Sequence, residues 1–330
     1  MYDLELEKLK NLLVQKNYSR ISVQVPDGLL GEPLNAILET IQAATKNIEV
    51  FVLGDPCFGA CDIGIQPALA AECQALFHFG HSQFSSKINI GSNHSLDVYY
   101  FDAKVNIPIQ PALEIAIQEA RQRNFTSIGL AATIQHLHEL PMVEELLRGA
   151  GFEVHVGEPT KRLRRGQILG CDIGPLGRLL PRKIHGTIFI GGGRFHALTL
   201  LRKTGKPVLA TDPYLRTVEL LEENDLQQFY RKRYAAVNKI QNARKIGILV
   251  STKSGQYNQK LVQQAQAWLE KNRKTWMIVL VSTAFPQHLS NFHVDGWIST
   301  MCPRVALDDS KQYEKPIINL DELDWESYVD

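Results

Sequence analysis

Three times along this chain an apolar stretch runs out into a glycine- or proline-containing turn that carries a cysteine. The first turn, GDPCFGACDIG from Gly54 to Gly64, brings Cys57 and Cys61 in after the run Ile48 to Leu53. The second, GQILGCDIG, repeats after Cys171 the Asp-Ile-Gly that follows Cys61, and the third, STMCPRVALDD, places Cys302 where Val294 to Met301 ends. Short apolar runs bounded by turn signals and alternating with helical patterns predict strands of parallel sheets with crossover helices. In such sheets ligands gather at the carboxyl ends of the strands, so these turns put thiols where a site is built.

Taken in order, an opening helix is followed by a strand from Ile21 to Leu30 that ends in Pro-Asp-Gly, and by a helix from Pro33 to Thr45. The strand Ile48 to Leu53 feeds the first cysteine turn, a helix spans Gln66 to Cys73, and the strand ALFHFGHSQF ends at Gly80-His81-Ser82. The pattern restarts with a strand Ser127 to Ala132, a helix Leu140 to Ala150, a strand Phe152 to Val156, and a strand Gly186 to Gly191 that ends in Gly-Gly-Arg-Phe-His. A strand Pro207 to Thr211 and a long polar helix from Arg216 to Gln241 follow. The last third gives a strand Lys245 to Ser251, a helix Tyr257 to Asn272, and strands Thr275 to Ser282 and Val294 to Met301. The expected fold is α/β: three similar domains, each a mainly parallel sheet flanked by helices, repeating at roughly a hundred residues and arranged around a common centre. The domains fall at 1–105 with Cys61, 106–215 with Cys171 and 216–330 with Cys302.

Composition narrows the function. With 330 residues, 44% apolar, 22% charged and a net charge of +1, nothing points to nucleic acid or an acidic membrane as partner. The opening MYDLELEKLKNLL mixes acids, lysines and leucines at helical spacing, unlike a signal peptide, and no apolar run is long enough to span a bilayer. A cytoplasmic protein is expected, and there five widely spaced cysteines predict core residues, ligands or catalysts rather than a disulfide framework.

The spacing excludes paired zinc-finger ligands. Cys57 and Cys61 form C-x3-C, but Gly64 stands where the C-x3-C-x2-C of ordinary radical enzymes has its third cysteine. Three thiolates from distant loops suit an iron-sulfur cluster with one iron left open. Cys73, among Ala70, Ala71 and Ala75, reads as a core thiol, and Cys57 as either a neighbour of the cluster or a packed turn residue. The run Lys161-Arg162-Leu163-Arg164-Arg165 is either a solvated face or a holder of a carboxylate. Ser251 to Gln256 follows a strand and opens a helix, a place that collects anions, yet it lacks the P-loop pattern and so speaks against nucleotide hydrolysis. His78 sits in an apolar strand as a satisfied core residue, while His81 and His196 lie at corresponding strand exits. On position alone, Asp27, Gly28, Gln256 and Arg304 are the pocket candidates.

GDPCFGACD, GQILGCD and MCPRVALDD, in this order, resemble the diphthamide-synthesis radical enzyme family across essentially the whole chain. The resemblance implies that Cys61, Cys171 and Cys302 hold a 4Fe-4S cluster whose fourth iron site binds S-adenosylmethionine. It implies cleavage of the bond from sulfur to the aminocarboxypropyl carbon by an electron from the cluster. The 3-amino-3-carboxypropyl group is then transferred to the imidazole C2 of a histidine on elongation factor 2, the first step of diphthamide formation, leaving methylthioadenosine. A separate electron donor is required, and the length resembles the archaeal form, which works as a homodimer. One departure is that the family commonly has Gly-Ala-Cys-Cys where this chain has Gly-Ala-Cys-Asp, so Asp62 replaces the second cysteine and Cys57 is additional. The competing readings are a quinolinate synthase-like cluster enzyme, a non-catalytic cluster-bearing partner subunit, and a three-domain small-molecule binding protein with packed thiols.

Overall fold

The structure is a computed structural model that describes residues 2–83, 96–177, 184–253 and 255–323. The chain begins with β1 (Tyr2–Asp3) and the helix Leu6–Lys16, which buries Leu9 and Leu13, four apart and so on one face. Then come β2 (Arg20–Gln24), the helix Glu32–Ala44, β3 (Glu49–Val52), the helix Ile65–Ala70, β4 (Ala75–Phe79), β5 (Asp97–Phe101) and β6 (Lys104–Val105). Parallel pairing orders four of these as β3-β2-β4-β5, and β1 pairs antiparallel with β6. Ile21, Val23, Phe77, Phe79 and Phe101 pack against Leu9, Leu13, Ile37 and Ile41 of the two helices.

The helix Gln110–Gln122 leads to β7 (Ser127–Ala132), the helix Leu140–Gly149, β8 (Glu153–Val156), β9 (Gly186–Ile190), the helix Arg194–Thr204, β10 (Val208–Asp212) and β11 (Thr217–Leu221). The second sheet runs β11-β10-β9-β7-β8, with β7 parallel to both β8 and β9. After the helix Glu223–Asn242 come β12 (Lys245–Ser251), the helix Gln259–Lys271, β13 (Thr275–Val281), β14 (Gly296–Ser299), the helix Arg304–Leu307 and β15 (Ile317–Asn319). The third sheet is parallel throughout, ordered β13-β12-β14-β15. Alternation along β12 sends Ile246, Ile248 and Val250 to the helices Glu223–Asn242 and Gln259–Lys271, and Leu249 to the opposite core with Trp297. The α/β class with three mainly parallel sheets is thus what the chain adopts.

Several element expectations need correction. The strand expected from Ile21 to Leu30 stops at Gln24, because Pro26 introduces a 3-10 turn over Asp27–Leu29 in which Leu29 N–H donates to the Pro26 carbonyl at 2.8 Å. The helix expected to reach Cys73 ends at Ala70, and Cys73 lies in the turn into β4, where Glu72 adopts φ 54°. Cys73 is nonetheless buried in a core with Ile65, Ala68 and Leu76. The long polar helix begins only at Glu223, since Thr217–Leu221 extends as β11. The helix start is set by a reciprocal capping box between Glu222 and Asp225. Of the strand expected over ALFHFGHSQF, Phe84 lies outside the described residues, as does Ser254 of the turn after β12.

The chain forms two compact units. One comprises Met1–Ile168, Gly174–Gly193 and Leu209–Glu219, and the other Leu169–Ile173, Arg194–Val208 and Leu220–Asp330. Cys61 belongs to the first, Cys171 and Cys302 to the second.

Candidate functional site

In the first unit the cysteine turn is folded from below by Gln24, the last residue of β2. Its amide Nε2 donates to the Asp62 carbonyl at 3.0 Å, and its Oε1 accepts from Gly64 N–H at 3.0 Å. Asp62 itself is buried; its N–H donates to the Gly59 carbonyl at 2.9 Å, and its carboxylate accepts from Phe58 N–H at 3.4 Å. Asp62 therefore closes the turn. Cys61 is left half-buried and Cys57 buried. At the neighbouring exit of β2, Leu29 anchors the turn while Asp27 and Gly28 are exposed.

The exit of β4 is shaped by Gly80. Its φ is +84°, and a Cβ there would stand 3.0 Å from Pro26 Cγ, so glycine alone fits without strain. Gln135 Nε2 donates to the Gly80 carbonyl at 2.9 Å, and Gln167 Nε2 to Ser82 Oγ at 2.8 Å. His78 is fully buried with a partner at each ring nitrogen, Gln24 Oε1 at 2.8 Å and His81 Nδ1 at 3.0 Å, as a satisfied core histidine should be. The four basic residues of the run are exposed, as a solvated face should be, while Arg164 makes a two-point ion pair with Asp102 and Arg165 pairs with Glu144 at 2.9 Å, so the run also holds carboxylates of the protein itself.

In the second unit, Cys171 is exposed in a tight turn where Leu169 N–H donates to the Asp172 carbonyl at 2.8 Å and Asp172 N–H to the Leu169 carbonyl at 3.1 Å. The helix Arg194–Thr204 holds that turn. Thr199 Oγ1 donates to the Gly170 carbonyl at 3.1 Å, and Lys203 Nζ to the Cys171 carbonyl at 2.8 Å. Cys302 is half-buried where β14 gives way to the helix Arg304–Leu307; its carbonyl accepts from Val305 N–H at 3.1 Å, and Asn319 Nδ2 donates to the Pro303 carbonyl at 3.2 Å. Arg304 is held by Asp308 at 2.9 Å, and its guanidinium carbon lies 5.1 Å from the centroid of Phe195. Phe195 also occupies the space beside Gly170, so one aromatic ring touches both cysteine turns of this unit.

Burial, and next the positive charge of Arg304, depress the pKa of His196 to about 4. Gln256 is half-buried in the turn after β12, its N–H donating to the Lys253 carbonyl at 3.0 Å. The helix beyond is capped by Asn258, whose Oδ1 accepts from Lys260 N–H at 3.1 Å and Leu261 N–H at 3.4 Å. Phe195, Lys203 and Gln24 went unnoticed in the sequence; for Gln24 the usable signal was a lone amide in an otherwise apolar strand.

The pattern of the diphthamide synthesis protein family matches residues 25–326. The chain belongs to this family. It is 30% identical to the 2-(3-amino-3-carboxypropyl)histidine synthase of Pyrococcus horikoshii over 98% of this chain and 90% of that protein. Subunit 1 of the Schizosaccharomyces pombe 2-(3-amino-3-carboxypropyl)histidine synthase is 28% identical over 96% of this chain and 72% of its own length. The crystal structure of Dph2 from Pyrococcus horikoshii with a 4Fe-4S cluster superposes with a TM-score of 0.86 at 29% identity, covering 98% of this chain and 90% of that one.

Cysteine thiolates are the ligands that hold 4Fe-4S clusters of the kind seen in that family member. Cys61, Cys171 and Cys302 are not in disulfides, and each retains solvent access at a turn. The Lys203 ammonium donates to the Cys171 carbonyl, and Arg304 follows Cys302 by two residues, so each of these two turns carries a basic side chain. Among the described residues, no helix is long and apolar enough to cross a membrane.

Proposed function

We propose that this chain is a 2-(3-amino-3-carboxypropyl)histidine synthase acting in diphthamide biosynthesis, with Cys61, Cys171 and Cys302 as ligands of a 4Fe-4S cluster. The observation that carries the reading is the full-length relation to the Pyrococcus horikoshii synthase, together with a cysteine at each of the three turns. The substrate is a histidine of elongation factor 2, and the co-substrate is S-adenosylmethionine. When bound, the cluster supplies the single electron that cleaves the sulfonium.

The chain's own residues orient the co-substrate. Arg304, fixed by Asp308 and Phe195 yet about half exposed at 45%, presents a guanidinium to the methionine carboxylate. The exposed Asp27 carboxylate, beside Gly28 at the β2 exit, is assigned the methionine ammonium, and Gln256 a hydrogen bond to the adenosyl portion. We assign one domain to each parallel sheet, 1–105, 106–215 and 216–330, with β11 of the second sheet lying just past the second boundary. A homodimer in the cytoplasm, reduced by a separate donor, completes the proposal.

The test is anaerobic. The iron-loaded protein with dithionite and S-adenosylmethionine is expected to release methylthioadenosine and to modify elongation factor 2, and Cys61→Ala, Cys171→Ala and Cys302→Ala are each expected to abolish both. An iron-bearing protein that yields neither product would instead favour the partner-subunit reading.

A further inference from the structure

The inside of the first cysteine turn carries a second donor set that the proposed cluster does not use. Sγ of Cys57 and one ring nitrogen each of His78 and His81 all lie within 4.8 Å of one another. Two of the three residues are buried, and His81 is half-buried. In a tetrahedral site with metal–ligand bonds of about 2.0–2.3 Å, donor atoms stand roughly 3.3–3.8 Å apart. The cluster therefore needs only side-chain adjustment to close on an ion.

The hydrogen bonds prepare one of the ligands. Gln24 Nε2 donates to the Asp62 carbonyl at 3.0 Å, and Oε1 accepts from Gly64 N–H at 3.0 Å, which fixes the amide's orientation. Its Oε1 also meets His78 Nδ1 at 2.8 Å, so Nδ1 must carry the proton. In a neutral imidazole the lone pair is then on Nε2, which faces His81 Nδ1 at 3.0 Å. A metal-ligating histidine usually donates its far N–H to an oxygen acceptor that fixes its tautomer, and the Gln24 amide oxygen stands in that position for His78. Cys57 Sγ stands 3.9 Å from the Gly59 carbonyl and 4.0 Å from the Asp62 carbonyl, at the long end of the range for a sulfur hydrogen bond.

We propose that Cys57, His78 and His81 bind a single divalent ion of the zinc class, with a fourth position on the side of His81 for water. Thiolate with two imidazoles is a donor set that suits zinc. Because Cys57 and Cys61 share one turn, the ion pins the segment that presents Cys61. This site is separate from the cluster proposal and stands or falls independently of it.

Cobalt(II) is the probe. The full-length chain with Cys61→Ser, Cys171→Ser and Cys302→Ser is expected to take up one cobalt per chain, with a thiolate-to-cobalt charge-transfer band in the near ultraviolet that zinc displaces. Adding Cys57→Ser should remove the band, and adding His81→Gln should weaken cobalt binding at least tenfold. The iron-loaded wild-type chain gives a reading that does not depend on the triple variant: elemental analysis should find zinc that His81→Gln removes while iron is retained. A band that survives Cys57→Ser, or zinc absent from wild type after exposure to excess zinc and desalting, would overturn the site.

Discussion

Phe195 fills the space that any side chain at residue 170 would need: a Cβ on Gly170 would stand 1.7 Å from Phe195 Cε1. The same ring lies under the Arg304 guanidinium. Gly170→Ala is therefore expected to push the ring away and displace the turn of Cys171, with an overpacking cost of about 1–3 kcal/mol. Iron content per chain and the melting temperature should both fall. Phe195→Ala placed in the Gly170→Ala background should recover part of the melting temperature, and a double variant no better than the single would refute the steric account.

Lys203 holds the same turn from the other direction of the chain, through the 2.8 Å bond from Nζ to the Cys171 carbonyl. Lys203→Met keeps the length of the stem and removes the donor. For an exposed charge-assisted bond the loss is about 1 kcal/mol, or roughly fivefold in an equilibrium. Iron loss to a chelator should accelerate by about that factor, with a melting temperature nearly unchanged; Lys203→Arg should restore retention. If Met and Arg behave alike, the bond does not stabilise the turn.

The sequence made the strands legible where they are continuous apolar runs, as in Ser127–Ala132, which needed no tertiary information. It misled at Thr217–Leu221, where Glu219 and the acidic residues that follow suggested one long polar helix. The capping pair Glu222 and Asp225 marked the true start but is a weaker form of the usual signature. The cysteine turns were visible because glycine and proline flank them. What supports them was not: Phe195 and Lys203 reach Gly170 and Cys171 only because a helix folds back across the turn. Likewise Arg164 reaches Asp102 across many intervening residues, a pairing that pattern alone does not show even though the run is exposed as its charge suggests.

Arg233 and Glu322 join the helix Glu223–Asn242 to the end of the chain. The pair is buried, with Nε to Oε2 at 2.6 Å and Nη2 to Oε1 at 3.1 Å, and Nη2 also donates to the Ile317 carbonyl at 2.7 Å. Removing one partner strands the other, a cost of about 3–5 kcal/mol. Arg233→Met should lower the melting temperature by roughly 10 °C, while Arg233→Met with Glu322→Met should lower it less. Scanning calorimetry on the three proteins decides; a double variant worse than Arg233→Met would contradict the stranded-charge explanation.

His196 makes the stability of the second unit depend on pH. Its native pKa, about 4, lies below the ordinary histidine value of 6.5, first because of burial and second because of Arg304. Above 6.5 the imidazole is neutral in both states and native stability is complete. As pH falls from 6.5 towards 4 the unfolded chain takes up a proton that the native chain refuses, so stability drops by at most about 1.4 kcal/mol per pH unit. The ring is half-buried, and water screening brings the loss between pH 7 and 5 to about 1 kcal/mol. His196→Asn has no such proton to take up and should lose that much less over the same interval. Urea unfolding of both proteins at the two pH values measures the difference; equal losses would show that His196 is protonated in the native state as readily as in the unfolded one.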